Sequence, residues 1–424
     1  MSTEKFIRNK TALITLIAAC LVVLISLGVR QTFGLFFMDF KNDLGISLTE
    51  AGLSIGIQML MWGLTGPIFG AIADKYGGHK AISLAFVFFI AGIYFLYAGP
   101  NTGIFFQIDM GILVGIGLGG TAISIPMAIV GKHFPLSNRT IAMSLVTAIG
   151  SFGYFLSPLL TTYSLNENGW QITLIAFLVA LFIGLIVSYF VRSPSLEQSI
   201  EIPNSQSTFE AIKEAFASKS YILLVSGFFV CGFHITLVGT HVPTYVIDRG
   251  LESWTAAAIL SLIGLFNIFG SLLSGYLSTK ISKKIILSFI YSLRGLSIIL
   301  FIFLPASNIN AFIFGASFGF LWLSTVPATS GIVAHMFGTK YLGLLYGIVF
   351  LSHQIGSFFG AYLGGLFHDL YGSYDYAWYL AIALSIFAAI IHLPIKEEAV
   401  LRLSLIHISE PTRRRGISYA VFCL

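Results

Sequence analysis

The chain has 424 residues, of which 56% are hydrophobic and 10% charged, with a formal net charge of +5. A mean hydropathy of +0.89 excludes an ordinary water-soluble domain, whose charged fraction is about a quarter. Its three cysteines set neither a disulfide framework nor a metal-ligand spacing, so a stapled secreted domain and a metal centre are both without support.

In chain order, apolar runs of about 20 residues or more predict twelve helical spans, each long enough to cross roughly 30 Å of hydrocarbon. They fall at roughly 11–38, 50–73, 81–99, 103–130, 140–163, 170–191, 220–247, 254–277, 285–304, 310–336, 342–366 and 376–395. Lys5, Arg8 and Lys10 precede the first run, which continues past Phe33. That is too long for a cleaved signal sequence, so it is read as a retained span. Six spans lie on each side of a polar connection, which divides the chain into an N-terminal repeat (1–192), a cytoplasmic linker (193–219) and a C-terminal repeat (220–402). The linker carries Ser193, Pro194, Glu197 and Glu201 before the amphipathic stretch from Phe209 to Phe216. Residues 403–424 read as the in-frame translation of a transposase-type sequencing adaptor and are set aside. Without Arg413, Arg414, Arg415 and Glu410 the chain holds 20 basic and 17 acidic side chains, a balance that gives no reason to expect a nucleic-acid partner.

Lys and Arg are enriched in cytoplasmic loops, and an N-terminus inside puts sixteen of the 20 basic residues there, including Lys132, Arg139, Lys283 and Lys340. Only Lys41 and Arg249 fall outside, and Arg30 and Arg294 lie within spans. The two halves also echo each other. Asp43-Leu-Gly45 recurs as Asp248-Arg-Gly250, Gly70 to Lys75 as Gly275 to Lys280, and Ile149-Gly150-Ser151-Phe152 as Ile355-Gly356-Ser357-Phe358. Matches in one register argue for two parallel six-helix repeats with a binding site between them near mid-membrane.

Between the second and third spans stands Gly70-Ala-Ile-Ala-Asp74-Lys75-Tyr-Gly77-Gly78-His79-Lys80. Its glycines allow a tight turn and close helix approach, and its acid suits the positive N-terminal end of a neighbouring helix. The stretch resembles the loop signature of the major facilitator superfamily of transporters. The resemblance implies that Gly70 and Asp74 meet the eleventh span near Tyr341-Leu342-Gly343 and help hold one face closed, with Lys75, Gly77 and Lys80 completing the gating motif. An ordinary charged cytoplasmic turn is the plainer alternative. Its counterpart in the second half has Thr279 in place of Asp74.

The fifth span and the loop before it, from Lys132-His-Phe134 through Gly150, Gly153 and Ser157 to Pro158, resemble the monocarboxylate and oxalate/formate branch of that superfamily. The small residues also serve plain helix packing. That branch usually carries a charged position in the eighth span, where this chain has Asn267 and Ser271.

Charge within the membrane is costly unless it meets a partner or a cavity. Arg30, followed by Gln31, is the leading candidate for binding an anion, because a guanidinium takes a carboxylate through two parallel hydrogen bonds. Snorkelling to the outer interface is its bland alternative. Arg294, mid-way along the ninth span, suits a structural polar contact. Asn267, His353 and Gln354 are candidate polar lining. His234, His241, His353 and Asp109 are candidate proton carriers, the first two lying seven residues apart and so on one helical face. A neutral histidine bonded within the bundle and a solvated Asp109 are the alternatives. Pro126 and Pro327 predict bends in the fourth and tenth spans.

The expectation is therefore an all-α integral membrane protein of the inner or plasma membrane, both termini cytoplasmic. It is read as a monomer that moves a small organic solute, most simply an organic anion such as a carboxylate, by alternating access with protons as possible coupling ions. Its partners are that solute, protons and the lipid bilayer, with no nucleic acid, cofactor or metal. A drug or sugar carrier of the same superfamily and a non-transporting membrane sensor remain open. No nucleophile and base pair at usable spacing suggests an enzyme.

Overall fold

The computed structural model describes residues 10–100, 103–193, 208–338 and 342–399. Residues 403–424, most of the linker, Lys340 and Tyr341 therefore lie outside the described residues. Among the described residues every regular element is helical. Helices satisfy all their backbone bonds within one segment, which hydrocarbon demands.

Eleven stretches are long and apolar enough to cross a membrane. One of them, Ile141–Ser188, has 48 residues, about 72 Å of helix where roughly 30 Å suffices. Its backbone turns at Gly169, where φ is 79° and ψ is 172°, a conformation glycine adopts without a Cβ clash. It is thus two spans, and the bundle has twelve, as the apolar runs predict. We label them α1 (Lys10–Leu44), α2 (Leu48–Tyr76), α3 (Gly78–Ala98), α4 (Ile104–His133), α5 (136–168), α6 (170–188), α7 (Lys219–Asp248), α8 (Ser253–Leu277), α9 (Lys283–Phe303), α10 (Asn308–Phe337), α11 (Leu342–Tyr371) and α12 (Asp375–His392). A linker helix, Thr208–Ala217, precedes α7.

Three spans are interrupted. In α1 a 3-10 turn, Phe33–Phe36, separates two α-helical pieces. In α4 and α10 the helix stops at Thr121 and at Leu321, then resumes at Ser124 and at Thr325. Each break covers the carbonyl four residues before Pro126 or Pro327, the one a proline ring collides with. The predicted bends are real, and α4 has in addition a π-helical turn, Gln107–Leu113.

The packing repeats between the halves. In the first half α1 lies on α5, α2 on α4 and α3 on α6; in the second, α7 lies on α11, α8 on α10 and α9 on α12. Gly150 sits against Val23 and Leu27 of α1, while its sequence counterpart Gly356 sits against the Phe229 carbonyl of α7. Caps repeat too: Ser193 Oγ, just past α6, accepts from the first N–H of α3 at 2.9 Å, and Glu397 Oε1, just past α12, accepts from the Lys284 N–H of α9 at 2.8 Å. The halves meet along two long seams, α2 against α11 and α5 against α8, and α7 also packs on the 3-10 turn of α1.

Candidate functional site

The α2–α11 seam is tight at one end and splayed at the other. Gly365 abuts Leu48, Gly52 abuts Ala361, Gly56 abuts Phe358, and Gly63 rests on the Gln354 side chain. Further along, no described residue comes within 4 Å of a Cβ built on Gly70, Gly343 or Gly347. At the tight end, Asp369 Oδ2 of α11 accepts from the Thr49 N–H at 2.7 Å and from Thr49 Oγ1 at 2.6 Å. The first turn of α2 thereby has one of its free N–H groups satisfied by an acid from the other half. Asn166 and Ser253 meet across the second seam at the same end, at 3.4 Å.

Arg30 lies at the closed side of this divide and is 9% exposed. Its neighbours are soft. One Nη contacts Met59 Sδ at 3.2 Å, the other contacts Gln31 Oε1 at 3.4 Å, and the guanidinium stands 5.9 Å from the centre of the Trp62 ring. The Tyr154 side chain of α5 also stands near it. Among the described residues Arg30 forms no ion pair, and Gln31 Nε2 is buried without a hydrogen-bond partner. Both residues line a small cavity between α1, α2 and α7, closed off by Phe33, Ile55 and Thr240. Arg30 is therefore buried rather than reaching out to the interface.

Gln354 and His353 adjoin this cluster from α11. Gln354 Nε2 donates to the Met59 carbonyl at 3.0 Å, tying the halves at mid-span, and its Oε1 lies 3.1 Å from His353 Nδ1. The His353 ring stacks on Phe350 at 5.7 Å, and Phe350 meets Trp62 edge-on at 6.2 Å. Gln354 thus meets the Arg30 and Gln31 pair through Met59, and His353 joins it only through Gln354 and Phe350; neither α11 residue lines the cavity itself. Met59, Trp62, Tyr154 and Phe350 complete the cluster, and nothing in an apolar run distinguishes them from other apolar residues.

Other candidates are placed elsewhere. Asn267 is 1% exposed; its Nδ2 donates to Ser151 Oγ of α5 at 3.0 Å and its Oδ1 accepts from the Leu323 N–H at 3.0 Å. Both ends of its amide are used in bracing the α5–α8 seam and the α10 break. Arg294 is fully buried and forms no ion pair among the described residues. Its Nε and Nη2 donate to the Leu321 carbonyl at 3.2 and 2.7 Å, and Nη2 also to the Trp322 carbonyl. It caps the helix that ends at the α10 break, where the dipole favours a cation, so its contacts are structural.

The shared face expected for His234 and His241 does not bring them to one place. His234 Nε2 bonds the Ala381 carbonyl of α12 at 2.9 Å, whereas His241 Nε2 bonds the Ala361 carbonyl of α11 at 2.6 Å. Neither lines the Arg30 cavity. Asp109 lies in the π-helical turn of α4, buried, with its backbone carbonyl against Gly92 of α3. In the gating motif, Asp74 pairs with Lys132 of α4 at 2.7 Å, both exposed, rather than with α11. Lys75 lies over Tyr76, 5.1 Å from the ring centre, and Gly77 makes the turn into α3 at φ 94°. Lys80 lies in the first turn of α3, exposed.

Comparison with known proteins places this geometry. Residues 19–326 match the profile of the Major Facilitator Superfamily. The chain is 24% identical over 359 residues to the uncharacterized MFS-type transporter YcxA of Bacillus subtilis (strain 168), covering 81% of this chain and 85% of that one. It is 23% identical to monocarboxylate transporter 13 of Rattus norvegicus, covering 84% and 82%. It is 24% identical to the sialic acid transporter NanX of Escherichia coli (strain K12), covering 78% and 81%. In fold it is similar to a bacterial homolog of the human lysosomal transporter Spinster, solved in an inward-facing and unoccupied conformation. The TM-score there is 0.71 at 15% identity, covering 91% of this chain and 96% of that one.

Proposed function

The chain belongs to the Major Facilitator Superfamily and is a multi-pass membrane transporter, and from that premise we propose that it carries a small organic monocarboxylate by alternating access. The observation that carries this reading is the pair Arg30 and Gln31. A buried guanidinium without an acid partner stands beside a buried amide N–H without an acceptor, and both line a cavity between the halves. In a low-dielectric setting such donors attract an anion strongly, and a carboxylate satisfies both at once. Arg30 is the one cation on the cavity, with Gln31 and Thr240 beside it and apolar groups elsewhere. A single cation there favours one negative charge over two.

Proton coupling, if present, is assigned to His353, which stands next to Gln354 and stacks on Phe350 at the same cluster. The bias of Lys and Arg supports placing the Gly70–Lys80 turn in the cytoplasm, so the conformation described here is open to the inside. A plasma-membrane location with both termini inside accords with this.

The test is uptake into proteoliposomes of lactate, pyruvate, oxalate and formate against neutral controls, with and without an inward proton gradient. Uptake of monocarboxylates that is abolished by Arg30→Gln is the expected result. If no carboxylate enters, or uptake survives Arg30→Gln unchanged, the anion site is wrong and a sugar or drug carrier takes its place.

A further inference from the structure

The acid of the gating motif has a twin that neither the family signature nor the internal repeat picks out. The α2 helix ends Asp74-Lys75-Tyr76-Gly77, and α11 ends Asp369-Leu370-Tyr371-Gly372. In both, the acid is third from the helix end and the glycine that follows has a positive φ, 94° at Gly77 and 68° at Gly372. The match lies outside the displacement that relates the two halves, because α2 corresponds by repeat to α8 and not to α11. What α2 and α11 share is a seam. They run antiparallel along it, since the start of α2 at Leu48 meets the end of α11 at Gly365. Each helix therefore carries an acid near its own C-terminus, at the end of the seam where the other helix begins.

At the tight end this contact is made. Asp369 accepts two hydrogen bonds from Thr49, and the α2 N-terminus there is also closed by a capping box between Ser47 and Glu50. A carboxylate at that position meets both an orphan N–H and the positive end of the helix dipole. At the splayed end no matching contact is made among the described residues, and Asp74 instead holds Lys132 within its own half. His368, one residue before Asp369, bonds Asp248 of α7 at 3.0 Å, which fixes this end of α11 to its own half.

We propose that Asp369 is a second latch acid, reciprocal to Asp74: its bond to the first turn of α2 holds the Thr49 end shut in this conformation and breaks when that end opens. It acts by positioning the halves, not by touching the solute. The proposal rests on the alternating-access reading above and adds the residue that holds the second closed state.

The test is double electron–electron resonance on the full chain in nanodiscs, in a background without native cysteines. One spin-label pair reports the Thr49 end, on Lys41→Cys and Tyr376→Cys; a second reports the Gly70 end, on Tyr76→Cys and Tyr276→Cys, all four native side chains being exposed. Asp369→Ala is expected to raise the ratio of long to short distances at the Thr49 end by about tenfold, the loss of a charge-assisted bond, while distances at the Gly70 end shorten. Asp369→Glu, which keeps the charge, is expected to restore part of the short population. Asp74→Asn is expected to move both pairs the other way. Unchanged distances in Asp369→Ala, or broadening at both ends together, would overturn the latch, because a merely structural acid lowers stability without trading one end against the other. If no variant, Asp74→Asn included, exchanges populations between the ends, the alternating-access reading itself falls. If exchange occurs without a bias from Asp369, only the latch falls.

Discussion

Replacing Asn267 separates a bracing residue from a solute contact. Asn267→Leu keeps the side-chain volume nearly constant but removes two buried hydrogen bonds, each 3.0 Å, one to Ser151 and one from the Leu323 N–H. Leu323 lies in the α10 break, where its N–H has no helical acceptor to fall back on, so leaving it bare costs about 1–3 kcal/mol. Ser151 can turn its hydroxyl onto a carbonyl of its own helix, which limits that loss to about 0.5–1.5 kcal/mol. The sum is about 1.5–4.5 kcal/mol of stability. Asn267→Asp in its protonated form can accept from Leu323 and bond Ser151, and should recover part of this at low pH. Reversible unfolding in mixed micelles measures the stability, and competition by a series of carboxylates in proteoliposomes measures selectivity. A variant of wild-type stability whose solute preference changes would refute the bracing assignment and return Asn267 to the binding site.

Two further substitutions probe the same packing. Arg294→Lys keeps a charge but loses the planar fork that reaches both the Leu321 and Trp322 carbonyls and lies 5.3 Å from the Tyr291 ring. It should cost about 2–3 kcal/mol in the same unfolding assay, and a change under about 0.5 kcal/mol would contradict the capping role. Gly356→Ala drives a methyl into the Phe229 carbonyl of α7, which should destabilise by about 1–3 kcal/mol. The equivalent Gly150→Ala meets only the Val23 and Leu27 side chains, which can shift, and should cost less; equal losses at the two sites would show that the contact with backbone is not what matters.

Span existence was legible because hydrocarbon imposes length and composition on every crossing segment. The seventh and ninth spans, expected near 220–247 and 285–304, are found at Lys219–Asp248 and Lys283–Phe303. The eleventh was expected to end near 366 and continues to Tyr371, because His368 and Asp369 interrupt the apolar run while His368 Nε2 bonds Asp248 and the Asp369 carboxylate bonds Thr49. The α4 and α10 breaks could be read from proline, but the 3-10 turn at Phe33–Phe36 and the π-helical turn at Gln107–Leu113 carry no such mark. At the site, spacing misled. His234 and His241 do share a face, yet seven residues are also about 10 Å along the axis. That rise carries one histidine to α12 and the other to α11. Which polar atoms are already consumed, as at Asn267, is a tertiary fact that no single-chain pattern reports.

The two buried arginines show what that accounting decides. By sequence each is one cation in an apolar run, Arg30 the leading candidate for an anion and Arg294 suited to a structural polar contact. Arg294 stands beside a helix that stops, and the carbonyls released at Leu321 and Trp322 take up its Nε and Nη2 donors, leaving Nη1 bare. A helix C-terminus carries the equivalent of about half a negative charge, so part of the cost of burial is met by backbone. Among the described residues Arg30 has a thioether, an amide oxygen, an indole face and a phenol around it. None of these carries a formal negative charge, and the amide of Gln31 has an N–H still to place. The arginine whose surroundings leave its charge uncompensated is the one on the cavity between the halves. That uncompensated charge is what the proposed anion site rests on.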